Sequence, residues 1–236
     1  MTAAASHGVR WLLDLQNRDG GIPTFCRGWT GLPFDRSGAD LTAHAVRAWL
    51  AWRPALPADR PAIDRGIAAA TRHLHTAQQA SGAFEPLWFG NEHTDGERNL
   101  TYGTAKVLLA LQALTKAGAG DVQAAGARAA GWLTRAQHAS GGWGGDAGAT
   151  ICSIEETARA VTALADSDSP GAGEAVERGV AWLRDATDDG RAFVASPIGL
   201  YFAKLWYSEQ LYPVIFTVEA LETVERVRQR RGRMVG

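Results

Sequence analysis

The sequence predicts an all-α fold built from stacked helix pairs. Two short units alternate along the chain, both with apolar residues at helical spacing. No segment shows the sustained two-residue alternation of a half-buried strand, and none carries an Asn-Gly hairpin signal. Glycine-rich breaks between the units divide the chain into about eight helices, arranged as four helix–loop–helix pairs.

The first unit is a helix that ends in Gln before a glycine loop. Its clearest copy, GVRWLLDLQNRDGG, spans 8–21. GIAAATRHLHTAQQASGAF follows at 66–84 and AGWLTRAQHASGGWGG at 130–145. GVAWLRDATDDGRAF, at 179–193, keeps the pattern but has lost the Gln. The copies recur at roughly 50–65 residues, a period that marks a repeat architecture. The second unit lies between them and reads Thr-Ala-x-x-Val/Leu-x-Ala-Leu/Trp. Its copies are TAHAVRAW (42–49), TAKVLLAL (104–111) and TARAVTAL (157–164), with FTVEAL (216–221) as a weaker fourth. Alanine at several of these positions permits close helix approach. One pair cannot bury both its faces alone, so the pairs must stack. The alternation predicts an outer layer of Gln-ended helices around an inner layer of Thr-Ala helices. Helix ends leave unpaired backbone groups. The Gln side chains and Gly-Gly-Trp loops are therefore expected to bind neighbouring helix ends, in a structural role.

The composition suits a soluble globular chain: 236 residues, 46% hydrophobic and 21% charged. A net charge of −1 creates no field that recruits nucleic acid, and no basic–aromatic stripe is present. The one charge run, ERVRQRRGR at 225–233, is expected to be a solvated helix end or a contact with a membrane surface or partner. Cys26 and Cys152 form no disulfide framework and no zinc set, and are expected to be free thiols in a reducing cytosol. The N-terminus lacks a signal-peptide pattern, and no window approaches the ~18 apolar residues of a membrane span. There is no G-x-S-x-G, P-loop or dinucleotide fingerprint.

Four stretches carry candidate site residues. SGADLTAHAV (37–46) sets Asp40 and His44 one helical turn apart. Asp40 is expected to cap the helix, with Ser37 as the alternative cap, or to act as an acid. A carboxylate one turn away would raise the pKa of His44. His73, His75 and His93 add no recognisable metal-ligand spacing. ICSIEETARAV (151–161) puts Glu155 and Glu156 at a helix start, where they either suit the dipole or face a cavity. WFGNEHTDGERNLTYGTA (88–105) is a polar loop that holds Trp88 and leads to Tyr102. LYFAKLWYSEQLYP (200–213) holds Tyr201, Phe202, Trp206 and Tyr207, aromatics suited either to a core or to stabilising a cation.

Taken in order, these stretches resemble the squalene-hopene and oxidosqualene cyclases. The Gln…Gly-Gly-Trp units are similar to their QW repeats. DLTAHAV resembles their Asp-Val-Thr-Ala-His-Val, NLTYGTAKVLLAL their Asn-Tyr-x-Tyr-Gly-Thr segment, and YFAKLWYSEQLYPVIFTVEAL their C-terminal aromatic segment. The resemblance implies an α-toroid, an (α/α)6 barrel of which about four pairs are present over residues 1–236. It implies protonation-initiated cyclisation of an isoprenoid, without metal or redox cofactor, in a cytoplasmic protein that contacts one membrane face. His44 matches the histidine that hydrogen-bonds the catalytic acid, and Tyr102 the tyrosine near that network. Trp88 matches a cavity tryptophan; Tyr201, Phe202, Trp206 and Tyr207 fall in the segment that stabilises cationic intermediates.

The family's proton donor lies in an Asp-x-Asp-Asp motif, which this sequence lacks. In family order it would precede Met1, so the acid is expected to sit on a partner chain, to be replaced or to be lost, and a partner chain or self-association is expected to complete the toroid. SIEET replaces the family's Ser-x-Thr-Pro-Ser-Gln-Thr, so Glu155 and Glu156 are candidates to face the cavity from the other side. Two further functions fit the sequence: a non-catalytic isoprenoid- or lipid-binding module, and a helical-repeat interaction scaffold. The zinc-dependent prenyltransferase version of the toroid is excluded, because no His follows Cys152.

Overall fold

The computed structural model describes residues 2–26, 35–201 and 205–235. These residues hold eight α-helices: α1 (Thr2–Leu15), α2 (Ala39–Trp52), α3 (Arg60–Ala77), α4 (Leu100–Lys116), α5 (Gln123–Ala136), α6 (Ile154–Leu164), α7 (Ala172–Ala186) and α8 (Tyr212–Val235). They form the four expected pairs. The even-numbered helices make the inner layer, α2 packing on α4, α4 on α6 and α6 on α8. The odd-numbered helices lie outside, α3 against α2, α5 against α4 and α7 against α6. The inner helices are the more buried: every residue of α6 is inaccessible, whereas α7 buries only five.

The repeated residues explain this layering. Gln16, Gln78 and Gln137 each sit just past an outer helix and span two carbonyls. Gln16 Nε2 donates to Gly20 O in its own loop (2.7 Å) and to Gly66 O of α3 (2.9 Å). Gln78 does the same with Gly82 and Ala125 of α5, and Gln137 with Gly141 and Ala175 of α7. The target carbonyls lie within the first two turns of the next outer helix rather than at an orphaned end. The Gln therefore takes the second lone pair of an oxygen that already serves the helix ladder. Gly20, Gly82 and Gly141 have φ of +89°, +98° and +99°. A Cβ there would lie 2.2, 2.5 and 2.9 Å from the carbonyl oxygens of Ala69, Arg128 and Arg178. Only glycine tolerates both the dihedral and the approach.

The Thr-Ala units lock the inner layer to the same loops. Thr42, Thr104 and Thr157 accept the backbone N–H of Ile22, Phe84 and Trp143, each at 2.9 Å. These three residues follow the glycine loops and are buried, Phe84 and Trp143 completely. In the decayed fourth unit Thr217 is buried, but its hydroxyl has no partner.

The structure departs from the all-helical expectation at one place. Strands β1 (Gly199–Tyr201) and β2 (Leu205–Tyr207) form a short antiparallel hairpin. Gly90 N–H donates to Ile198 O (2.9 Å), tying the hairpin to the 88–99 loop. Gly199 is required there, since a Cβ would meet the Tyr207 ring at 2.1 Å. The 225–233 run is the solvated end of α8, and three of its five arginines are paired: Arg228 with Glu177, Arg230 with Asp166 and Arg231 with Asp168. Cys26 and Cys152 are free thiols, as expected. No described helix is long and apolar enough to cross a membrane.

Candidate functional site

Each inner helix turns one side toward the axis of the toroid, and the third residue of each Thr-Ala unit lies on it. That position holds His44 on α2, Lys106 on α4, Arg159 on α6 and Glu219 on α8. One turn earlier stand Asp40, Tyr102 and Glu155 on the first three of these helices. The spacing is i, i+4, so each pair shares a face.

Asp40 does not cap α2. The N-cap is Gly38, which forms an isolated bridge with Ile22 and carries no side-chain cap. Ser37 does not cap either: its hydroxyl donates to Asp19 (2.7 Å) and accepts from Asn17 (3.0 Å). The Asp40 carboxylate is buried and accepts the Leu87 N–H at 3.3 Å. Burial raises its pKa against the lowering effect of the backbone bonds and of Lys106. His44 lies one turn on, open to solvent but surrounded by protein around the axis. Its pKa is lowered to about 4, not raised: burial acts first, then the charges of Lys106, Arg47 and Arg159, with Glu219 opposing. Burial and cations from α2, α4 and α6 thus outweigh the carboxylate one turn away on its own helix.

Tyr102 is 4% exposed and begins an aromatic run. Phe89 stacks on it at 3.8 Å, Tyr212 lies 6.4 Å from Phe89, and Phe216 stacks on Tyr212 at 5.0 Å. Two cations meet these rings. Lys106 Nζ lies 5.2 Å from the Tyr102 centroid and 5.8 Å from that of Phe216, and the Arg159 guanidinium lies 4.0 Å from Phe216. Arg159 is 2% exposed and pairs with Glu219. Lys106 is 8% exposed and has no hydrogen bond or ion pair among the described residues. Burial, then the charge of Arg159, brings its pKa down to about 8.

Glu155 and Glu156 occupy the first turn of α6 as expected, both fully buried. Ser153 is the N-cap and accepts the Glu156 N–H (3.1 Å). Glu155 Oε1 accepts the Ser196 N–H at 2.8 Å, which fastens the hairpin segment over the helix end. Glu156 Oε1 accepts from Asn91 (3.0 Å) and Asn99 (2.9 Å). Asn99 also caps α4 by accepting the Tyr102 N–H at 2.9 Å. The Oε2 atoms of both glutamates are buried without a partner. Burial pushes Glu156 up to about 7, and Glu155 adds to the rise.

The remaining aromatics are more dispersed. The Trp88 indole N–H donates to Thr24 Oγ1. Trp206 is half-buried and Tyr207 is 39% exposed, both on β2. Tyr201 ends β1 opposite Leu205, with its side chain outside the described part; Phe202 lies outside the described residues altogether. Among the described residues no group of three His, Cys, Asp or Glu stands close enough to hold a metal.

The family model of the squalene-hopene cyclase C-terminal domain matches residues 1–226. The chain belongs to that family. Among its relatives, the enfumafungin synthase of Hormonema carpetanum is 32% identical over 205 residues, covering 76% of this chain and 15% of that protein. A drimenyl diphosphate synthase of Streptomyces showdoensis is 31% identical over 185 residues, covering 76% of this chain and 30% of the relative. The cyclase domain therefore spans under a third of the length of either. Two solved structures share the α-toroid fold. The ent-copalyl diphosphate synthase from Streptomyces platensis matches with TM-score 0.64 at 22% identity, over 90% of this chain and 37% of that one. A type II terpene cyclase from Scytonema, in complex with geranylgeranyl dihydroxybenzoate, matches with TM-score 0.68 at 14% identity, over 94% and 67%.

Lys106, Arg159 and Glu219 are residues that the motif-by-motif reading passed over. The signal was present in the repeat: aligning the four Thr-Ala units puts them in register with His44.

Proposed function

We propose that this cyclase-family chain supplies the aromatic wall of an isoprenoid-cyclisation site, with the initiating acid carried by a partner chain. The observation that supports this most directly is the run Phe89–Tyr102–Tyr212–Phe216, whose rings meet Lys106, a cation whose charge also reaches His44. Ring faces stabilise a positive charge without being consumed by it. Neutral His44 is suited to hydrogen-bond an acid presented from outside the chain.

Protonating an alkene requires a strong acid kept from water. Asp40 and Glu156 have pKa values raised by burial and are weaker acids than ordinary carboxyls. That favours positioning roles for both, and an Asp-x-Asp-Asp donor on the partner. The exposed apolar run Ile215, Val218 and Leu221 on α8 offers that partner a helical packing edge. Contact with a membrane face is part of the same reading.

A mixture of the chain with a partner bearing the Asp-x-Asp-Asp segment is incubated with squalene, 2,3-oxidosqualene and shorter polyprenyl substrates. Extracts are analysed by gas chromatography–mass spectrometry. A cyclic product is expected, and its absence from every mixture sinks the enzyme reading. His44→Ala is expected to lower the rate by about two orders of magnitude, the scale of a lost acid–base partner; an unchanged rate removes His44 from the mechanism.

A second reading, isoprenoid binding without cyclisation, is favoured by Lys106. A fixed ammonium between Tyr102 and Phe216 opposes a carbocation at the same rings.

A further inference from the structure

Glu156 fastens two other segments to α6 through a single oxygen. Its Oε1 accepts from Asn91 Nδ2 (3.0 Å) in the 88–99 loop and from Asn99 Nδ2 (2.9 Å) at the start of α4. Asn99 Nδ2 also donates to Gly90 O (3.0 Å), and Asn99 Oδ1 accepts the Tyr102 N–H (2.9 Å). Gly90 N–H is bound in turn to Ile198 O, and Phe89 forms an isolated bridge with Gly199. The backbone on both sides of the Phe89–Tyr102 stack is therefore tied to Glu156 through one asparagine or the other. Glu155 ties down the hairpin segment beside them, by accepting the Ser196 N–H (2.8 Å).

The second oxygen makes this fastening conditional. Glu156 Oε2 and Glu155 Oε2 are both buried without a hydrogen-bond partner among the described residues. An ionised carboxylate can only accept, and a charged oxygen with no donor is costly to bury. A proton on Oε2 removes that charge and leaves Oε1 free to accept both amides. We propose that Glu156 operates a clasp: while its carboxyl is protonated it holds the 88–99 loop, and through Gly90 the hairpin segment, so that Phe89 stays on Tyr102, and it releases them when the proton leaves. Glu155, on the same turn, is the charge that acts most on Glu156, and Cys152 is within reach of it in turn. Arg159, one turn on, is directed to Glu219 and Phe216, and Lys106 of α4 to Tyr102 and Phe216. Asp146, in the loop before α6, accepts the Gly148 N–H. Glu92, His93, Asp95 and Arg98 of the 88–99 loop are exposed, and Glu97 is half-buried.

Burial and Glu155 favour the neutral form, so Glu156 titrates at about 7 with the clasp closed, against an ordinary 4.5. The closed form holds the extra proton, so the clasp is shut at low pH and opens as pH rises through that range. Hydrogen exchange of the full chain, followed amide by amide by NMR between about pH 5 and 8, reads the opening directly. Protection of the Gly90, Tyr102 and Ser196 amides is expected to fall with rising pH by at least about tenfold, to a ceiling of about 300-fold, and to level off above pH 7. The Ile22 N–H, held by Thr42 on α2, is the reference and should stay more protected throughout. Glu156→Gln keeps the accepting oxygen without a titrating charge; its clasp amides should stay protected across the range. Glu156→Ala removes the acceptor, and protection should be low at every pH.

Protection that is flat with pH in the unsubstituted chain overturns the clasp. So does a pH-dependent fall that persists in Glu156→Gln, which would assign the titration to another group. A fall at Ile22 from the same level as the clasp amides means that the whole chain unfolds together, and overturns it as well. The measurement needs no substrate and no partner chain, so its failure and the failure of the cyclisation assay are separate results.

Discussion

At the residue scale, Glu156 sets the clearest pH dependence. Its pKa is about 7 in the folded chain against an ordinary 4.5. Between these values the folded state binds more protons than the unfolded one, so stability falls as pH rises from about 4.5 to 7. Glu156→Gln should flatten that limb and raise stability above pH 7 by on the order of 1–3 kcal/mol, measured by urea unfolding across the range. An unchanged pH profile would show that Glu156 titrates normally. His44 acts with the opposite sign: its lowered pKa makes stability rise with pH between about 4 and 6.5. The Glu156 variant should therefore unmask that rise. The direction of the His44 shift was not legible in the sequence, where Asp40 and Arg47 stand one turn away on either side with opposite charge. Burial comes first, then the charges of Lys106, Arg47 and Arg159, and two of those reach the axis from other helices. The Asp40 cap failed for a related reason. Asp is the better N-cap by propensity, but the Ile22–Gly38 bridge moves the helix start ahead of it.

At the element scale, the fold was legible wherever a side chain recurs once per repeat unit. Gln16, Gln78 and Gln137 repeat because each ties its loop to the next outer helix, and Thr42, Thr104 and Thr157 because each ties an inner helix to such a loop. The β1–β2 hairpin was not legible. Its strands are three residues long, and its register depends on Gly199 meeting the Tyr207 ring, a contact without a sequence period. The same logic separates two threonines. Thr157→Val leaves the buried Trp143 N–H without its acceptor and should cost about 1–3 kcal/mol in chemical denaturation. Thr217→Val removes a buried hydroxyl that already lacks a partner, and should be neutral or stabilising. Equal losses at both sites would refute the asymmetry between the intact and decayed units.

At the scale of the whole molecule, α8 is the inner helix with the most exposed apolar surface. Ile215 is 51%, Val218 48% and Leu221 44% exposed. If a partner packs there, the two chains should co-elute in size-exclusion chromatography with light scattering, and Leu221→Glu should separate them. Co-elution that survives that substitution would move the contact elsewhere. Charge convergence at the axis belongs to this scale as well, because no single helix carries it. Residues 44, 106, 159 and 219 come together only when four units are stacked, which is why a motif search along the chain passes over them. In the three intact units the threonine serves the scaffold, while the residue two places later faces the centre. His, Lys, Arg and Glu all occur there on the same backbone. The lining is therefore interchangeable without rebuilding the frame: a ring of this design can acquire a new ligand preference through single substitutions at four numbered sockets, while the threonine latches hold the fold constant.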